Sequence, residues 1–148
     1  MTAWEWRGLA ELLRLEHPLL EQFKEQMDAI EPGLWRHLER TPSLAPEQAE
    51  AVVDVLLTLA CQCQNMLNLE LGNAGLLALP RPWLLARIEA DAAPLLELDD
   101  GWEYRRLLEV YERLDPALAR RLAERGATSS NDEIREAADD WLAAAADA

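Results

Sequence analysis

Apolar side chains recur at helical spacing along most of the chain. The longest such run is Pro46–Leu71, which has no glycine and no internal proline. Val52, Leu56, Leu59, Cys63 and Met66 form one stripe, and Val53, Leu57, Ala60 and Leu67 form a second beside it. Two adjacent stripes make a helix apolar around most of its circumference, and such a helix must be wrapped by others. The pattern predicts a central helix over 46–71, N-terminal helices over 1–45 and C-terminal helices over 82–146. Gly72 is expected to stop the central helix.

The flanking segments read as shorter amphipathic helices. Thr2 with Glu5 fits a capping box, followed by Leu9, Leu12 and Leu13. Pro18 suits the first turn of a helix with Leu20, Phe23, Met27 and Ile30 inward, broken at Glu31-Pro32-Gly33. A short helix follows over Leu34–Arg40. After Leu79-Pro80-Arg81-Pro82, a helix over Trp83–Ala92 is expected to end at Pro94. Tyr104, Leu107, Leu108, Tyr111 and Leu114 define a regular face on the next helix. Asp115-Pro116 opens another, and Ser130 with Glu133 reads as a second capping box before Ile134, Ala137, Ala138, Trp141, Leu142 and Ala145. No segment alternates as a strand does. The expectation is an all-α single-domain bundle of about seven helices. A single domain also suits the 148-residue length.

Asp100–Ala146, with its Asp115-Pro116 junction and its last helix beginning Asp132-Glu133-Ile134-Arg135-Glu136-Ala137-Ala138, loosely resembles a helix–turn–helix unit of the HEAT repeats. The resemblance covers about a third of the chain. It implies a scaffold that binds other proteins.

Charge narrows the partners. Twenty-eight acids against fourteen bases give a net charge of −14, spread along the chain. Nucleic acid is disfavoured, since phosphate contact needs a basic footprint. An anionic membrane surface is disfavoured for the same reason. A basic protein would be attracted and would associate faster. The start of the chain has no basic segment and no long apolar run, so it does not read as a signal peptide. Cys61 and Cys63, the only cysteines, point to nearly opposite sides of a helix and read as reduced cysteines in a cytoplasm.

Catalytic and metal signatures are weak. His17 and His37 are the only histidines, and neither belongs to a Glu-x-x-His or His-Glu-x-x-His pattern. Gly72-Asn73-Ala74-Gly75 lacks the strand and the Lys-Ser/Thr of a phosphate loop. Ser43, Ser129 and Ser130 lie in connectors. No cofactor or metal site is assigned, and the chain is expected to be non-enzymatic.

Four sets of residues are candidates for binding. Glu97, Asp99, Asp100 and Glu103 crowd one turn, where Asp99 or Asp100 is expected to cap a helix. Asp132, Glu133, Glu136, Asp139 and Asp140, opposed only by Arg135, form a second acidic patch. Trp4 and Trp6 cannot share one helix face, so one of them is expected to be exposed as an interface anchor. Asp54, Thr58, Cys61, Asn65 and Asn68 would lie on one polar line along the central helix, as its solvent edge or as a ligand-lining network. The arginines from Arg105 to Arg125 share their segment with acids and read as a salt-bridged surface.

The favoured expectation is an acidic protein-binding module, such as an inhibitor or immunity-type protein that neutralises a basic partner. The alternatives are a scaffold forming a helical homodimer, and a small-molecule binder or enzyme using the polar line.

Overall fold

A computed structural model of the chain describes residues 6–147. Thr2, Trp4 and Glu5, with the capping box and anchor expected there, lie outside the described residues. The described residues form nine α-helices and two short 3₁₀ segments, with no strand among them. The chain divides into two compact units, the first ending at Leu95 and the second beginning at Leu96.

The first unit holds α1 (Leu9–Leu12), α2 (Pro18–Ile30), 3₁₀ segments at Leu34–Arg36 and Leu38–Ser43, α3 (Pro46–Cys61), α4 (Met66–Ala78), α5 (Arg81–Leu85) and α6 (Ile88–Leu95). At the start of α2, His17 Nδ1 accepts a hydrogen bond from the Leu19 amide at 3.0 Å, and proline occupies the first turn. Gln48 in the first turn of α3 accepts from the Ala45 amide and donates to Ile30 O, tying α3 to the end of α2.

The expected helix over 46–71 is two helices. The polar run Gln62-Cys63-Gln64-Asn65 interrupts it, and the Asn65 side chain caps α4 by accepting from the Leu67 amide at 2.8 Å. The chain turns back there, so α4 packs against α3 instead of continuing it. Val52, Val53, Leu56, Leu57 and Ala60 of α3 are all buried. At roughly 1.5–3 kcal/mol for each large apolar side chain, this seam is a principal source of the unit's stability. α2, α6 and the second 3₁₀ segment cover other sides of α3.

Gly72 does not stop a helix. It lies inside α4, where a Cβ would sit 2.4 Å from Ala60 N and 2.7 Å from Leu56 O. At Gly75 a Cβ would meet the Leu56 side chain at 2.3 Å. Glycine at both positions lets the backbone of α4 rest directly on α3. Asn73 to Ala78 form the second half of α4. Its buried Asn73 is satisfied, donating to Leu69 O at 2.8 Å.

Three further expectations shift. The helix over Leu34–Arg40 is instead the two 3₁₀ segments, with Pro42 inside the second. The helix over Trp83–Ala92 breaks at Ala86 and Arg87, where Arg87 stacks on Trp83 at 4.5 Å and pairs with Asp91 at 2.7 Å. Pro94 lies inside α6, which ends one residue later at Leu95.

Before α1, Arg7 clamps Glu70 of α4. Its Nε and Nη2 donate to the two carboxylate oxygens at 3.0 and 2.8 Å, and its backbone amide donates at 3.3 Å. Glu70 is only 3% exposed. The Arg7 hydrogen bonds outweigh burial and hold its carboxyl below the ordinary range.

The second unit holds α7 (Gly101–Leu114), α8 (Pro116–Gly126) and α9 (Asp132–Ala146), each packed on the other two. Tyr104, Leu107, Leu108, Tyr111, Leu114, Leu118, Leu122, Ile134, Ala137 and Ala138 are buried, as their spacing predicts. Leu142 and Ala145 are only half-buried. The Tyr104 hydroxyl donates to Leu122 O at 2.9 Å and occupies the space a side chain at Gly126 would need. No described helix is long and apolar enough to cross a membrane.

Candidate functional site on the second unit

Two capping residues bring the acidic stretches together. Asp100 Oδ1 accepts from the Trp102 and Glu103 amides at 2.8 and 3.1 Å, starting α7. Asn131, not the expected Ser130, starts α9, and its Oδ1 accepts from the Glu133 and Ile134 amides at 2.9 and 3.4 Å. The same Asn131 side chain donates from Nδ2 to Asp99 O at 2.8 Å. Glu133 packs over Gly101, where a Cβ would lie 2.4 Å from Glu133 Oε2. Glycine at 101 therefore leaves room for the Glu133 side chain beside the start of α7.

α7 and α9 run in the same direction from this junction. Further along, Trp141 Nε1 donates to Glu112 Oε2 at 2.8 Å. The two helices are thus pinned at two levels, with α8 packed against both.

The patches around Glu97–Glu103 and Asp132–Glu136 consequently form one acidic edge. Glu97, Asp99, Asp100, Asp132, Glu133 and Glu136 are exposed, and Glu103 is half-buried. Positive ends of two helix dipoles offset part of the crowding. Arg135 joins Asp132 and donates to Ser129 O at 2.9 Å, so it neutralises only one corner. Asp139 and Asp140 are exposed about two turns into α9.

Between α7 and α9, beyond the edge, lies an open groove of about 410 Å³. Leu108 and Ala137 form its floor and Trp141 stands half-buried at one end. Arg105, Glu109, Glu112, Arg113 and Asp140 line its sides. Burial pushes the Arg113 guanidinium down from its ordinary range, while Glu109 opposes the shift. Arg106 pairs with Glu109 at 3.1 Å and stacks on Trp102 at 4.2 Å. Arg105 and Asp140 are exposed, and their side chains form no hydrogen bond or ion pair with a described residue.

Compared with family models, curated proteins and solved structures, the chain matches none.

The other candidates are dispersed. Asp54 and Thr58 are half-buried on α3, Cys61 is buried near its end, Asn65 caps α4, and Asn68 is half-buried on α4. The break at 62–65 therefore divides the expected polar line between two helices. Burial, reinforced by Glu50 and Asp91, pushes the Asp54 carboxyl up, while Arg87 opposes it. Neither cysteine forms a disulfide among the described residues; Cys61 is buried, and Cys63 is half-buried beyond the helix end. Trp6 is half-buried ahead of α1. Among the described residues no group of three His, Cys, Asp or Glu is placed to hold a metal ion.

The groove residues Arg105, Arg113 and Glu112 carried no sequence signal as site residues. The two caps did: an acid-acid-glycine turn and an Asn-Asp-Glu turn each mark a helix start, and helix starts can converge.

Proposed function

We propose that the chain is a non-enzymatic binding protein that engages a basic protein through the acidic edge of α7 and α9. The observation carrying this reading is the convergence of two stretches about thirty residues apart in sequence, Glu97–Glu103 and Asp132–Glu136, on one edge joined by the Asn131–Asp99 hydrogen bond. The second unit holds fourteen acids and seven bases. A continuous negative edge raises the association rate with a positive surface and fixes its orientation. The same chemistry serves an inhibitor or immunity-type protein, which neutralises a basic target by covering it.

The test compares the intact chain with a variant in which Glu97, Asp99, Glu103, Asp132 and Glu136 are changed to Gln or Asn. Asp100 and Glu133 are left alone because they build the junction. A cellular partner retained at low salt, released at high salt and lost by the variant is the expected result. Partners retained equally by both proteins would refute the proposal.

A further inference from the structure

The groove beside the edge gives that reading a more specific form. We infer that the α7–α9 groove takes an amphipathic basic helix of the partner, seating one large apolar side chain on Leu108 and Ala137 against Trp141, with a neighbouring Lys or Arg at Asp140. This inference rests on the acidic-edge reading above.

Four features support it. The floor is apolar, and Ala137 is small enough to leave room above it. At about 410 Å³ the groove can hold a leucine- or phenylalanine-sized side chain. It is open along its length, whereas a small-molecule site normally encloses most of its ligand. The slot therefore suits one face of a longer element, in the manner of a helix laid in a groove.

The second feature is a preset aromatic wall. Glu112 fixes the Trp141 indole through its N–H, so the ring loses little freedom when a partner packs on it. Such half-buried aromatics are favoured anchors in interfaces.

The third is charge. Arg105, Glu109, Glu112 and Arg113 line the α7 side of the groove, and Asp140 lines the α9 side. Glu109 is already engaged by Arg106, and Glu112 by Trp141. Asp140 is the carboxylate still without a partner among the described residues. An incoming cation would meet it without displacing an existing bond.

The fourth is continuity. Glu133, Glu136 and Asp140 lie at i, i+3 and i+7 on α9 and so share one face. Glu133 packs at the junction and Asp140 lines the groove, so this row of carboxylates leads from the edge into the slot.

Two labelled peptides test the inference: a Lys-rich amphipathic helix with Leu at i, i+3, i+4 and i+7, and the same peptide with Ser in place of Leu. Binding to the intact chain is read by fluorescence anisotropy at low and moderate salt. The Leu peptide is expected to bind at least about tenfold tighter. Asp140→Lys and Trp141→Ala should each cost it about tenfold. Glu25→Lys, the same charge change on exposed α2, should cost less than about twofold. Circular dichroism verifies that each variant folds. As an independent readout, the indole N–H resonance of Trp141, assigned with Trp141→Phe, should shift with the Leu peptide and not with the Ser peptide.

Equal binding of both peptides, or equal effects of Asp140→Lys and Glu25→Lys, would overturn the groove inference. If the edge-neutralised variant then loses both peptides, the acidic-edge reading survives alone. If neither peptide binds the intact chain at low salt, both fall.

Discussion

Gly72→Ala tests the packing on which the first unit depends. Helix propensity alone favours alanine in a helix interior by about 1 kcal/mol. The crossing with α3 opposes it. The new Cβ would lie 2.4 Å from Ala60 N, 2.7 Å from Leu56 O and 2.8 Å from Ala60 Cα. All three atoms are backbone, so no side-chain rotation relieves the conflict. The helices must separate, opening the seam between Val53, Leu56, Leu57 and Ala60. Overpacking a tight core costs roughly 1–3 kcal/mol, and rigid backbone on both sides puts this site at or above the top of that range. Set against the propensity gain, the net loss is about 2 kcal/mol or more, a fall in Tm of at least roughly 4–8 °C for a chain of this size. Thermal denaturation followed by circular dichroism measures it. Gly75→Ala meets a side chain, Leu56 Cδ2 at 2.3 Å, and should cost less. In double-mutant cycles, Leu56→Ala should recover part of the Gly75→Ala loss and none of the Gly72→Ala loss. An unchanged or raised Tm for Gly72→Ala would refute the close approach of α3 and α4.

Two more outcomes concern titrating groups. Because Arg7 holds the Glu70 carboxyl below its ordinary range, the pair contributes stability above the ordinary glutamate value of about 4.3 and loses it as pH falls through the lower folded value. Arg7→Leu should therefore lower Tm at pH 7, and the difference from the natural chain should shrink toward pH 3; a constant difference would refute the assignment. Burial pushes the Tyr104 hydroxyl up to about 12. Its contribution is complete below the ordinary value of 10.0 and is lost as pH rises through about 12. Tyr104→Phe should cost about 1 kcal/mol in urea denaturation at neutral pH, and that cost should diminish between about pH 10 and 12.

The second unit was the more legible part of the fold. α7 and α8 are polar on one face and apolar on the other, and their caps, Asp100 and Asp115, precede the first turn. α4 was not legible because every residue from Leu69 to Leu76 is buried, so no amphipathic period marks its ends. Its glycines read as a stop because sequence alone does not show that a neighbouring helix requires them. The break before α4 was carried by Gln62-Cys63-Gln64-Asn65, four residues whose spacing also fits the continuing stripe. The acidic stretches were visible in composition. Their meeting was not, since it depends on a hydrogen bond from Asn131 to Asp99 O and on Glu133 folding over Gly101. The groove was hidden for the same reason, being a product of two helices in register.

The seating of Glu133 on Gly101 has an evolutionary corollary. The two positions are sterically coupled: a side chain at 101 would displace the Glu133 carboxylate and press on its Cβ, which lies 3.1 Å from the added carbon. Related chains that keep the shared edge should retain glycine at 101 or change both positions in step, while chains that have abandoned the edge should show no such correlation.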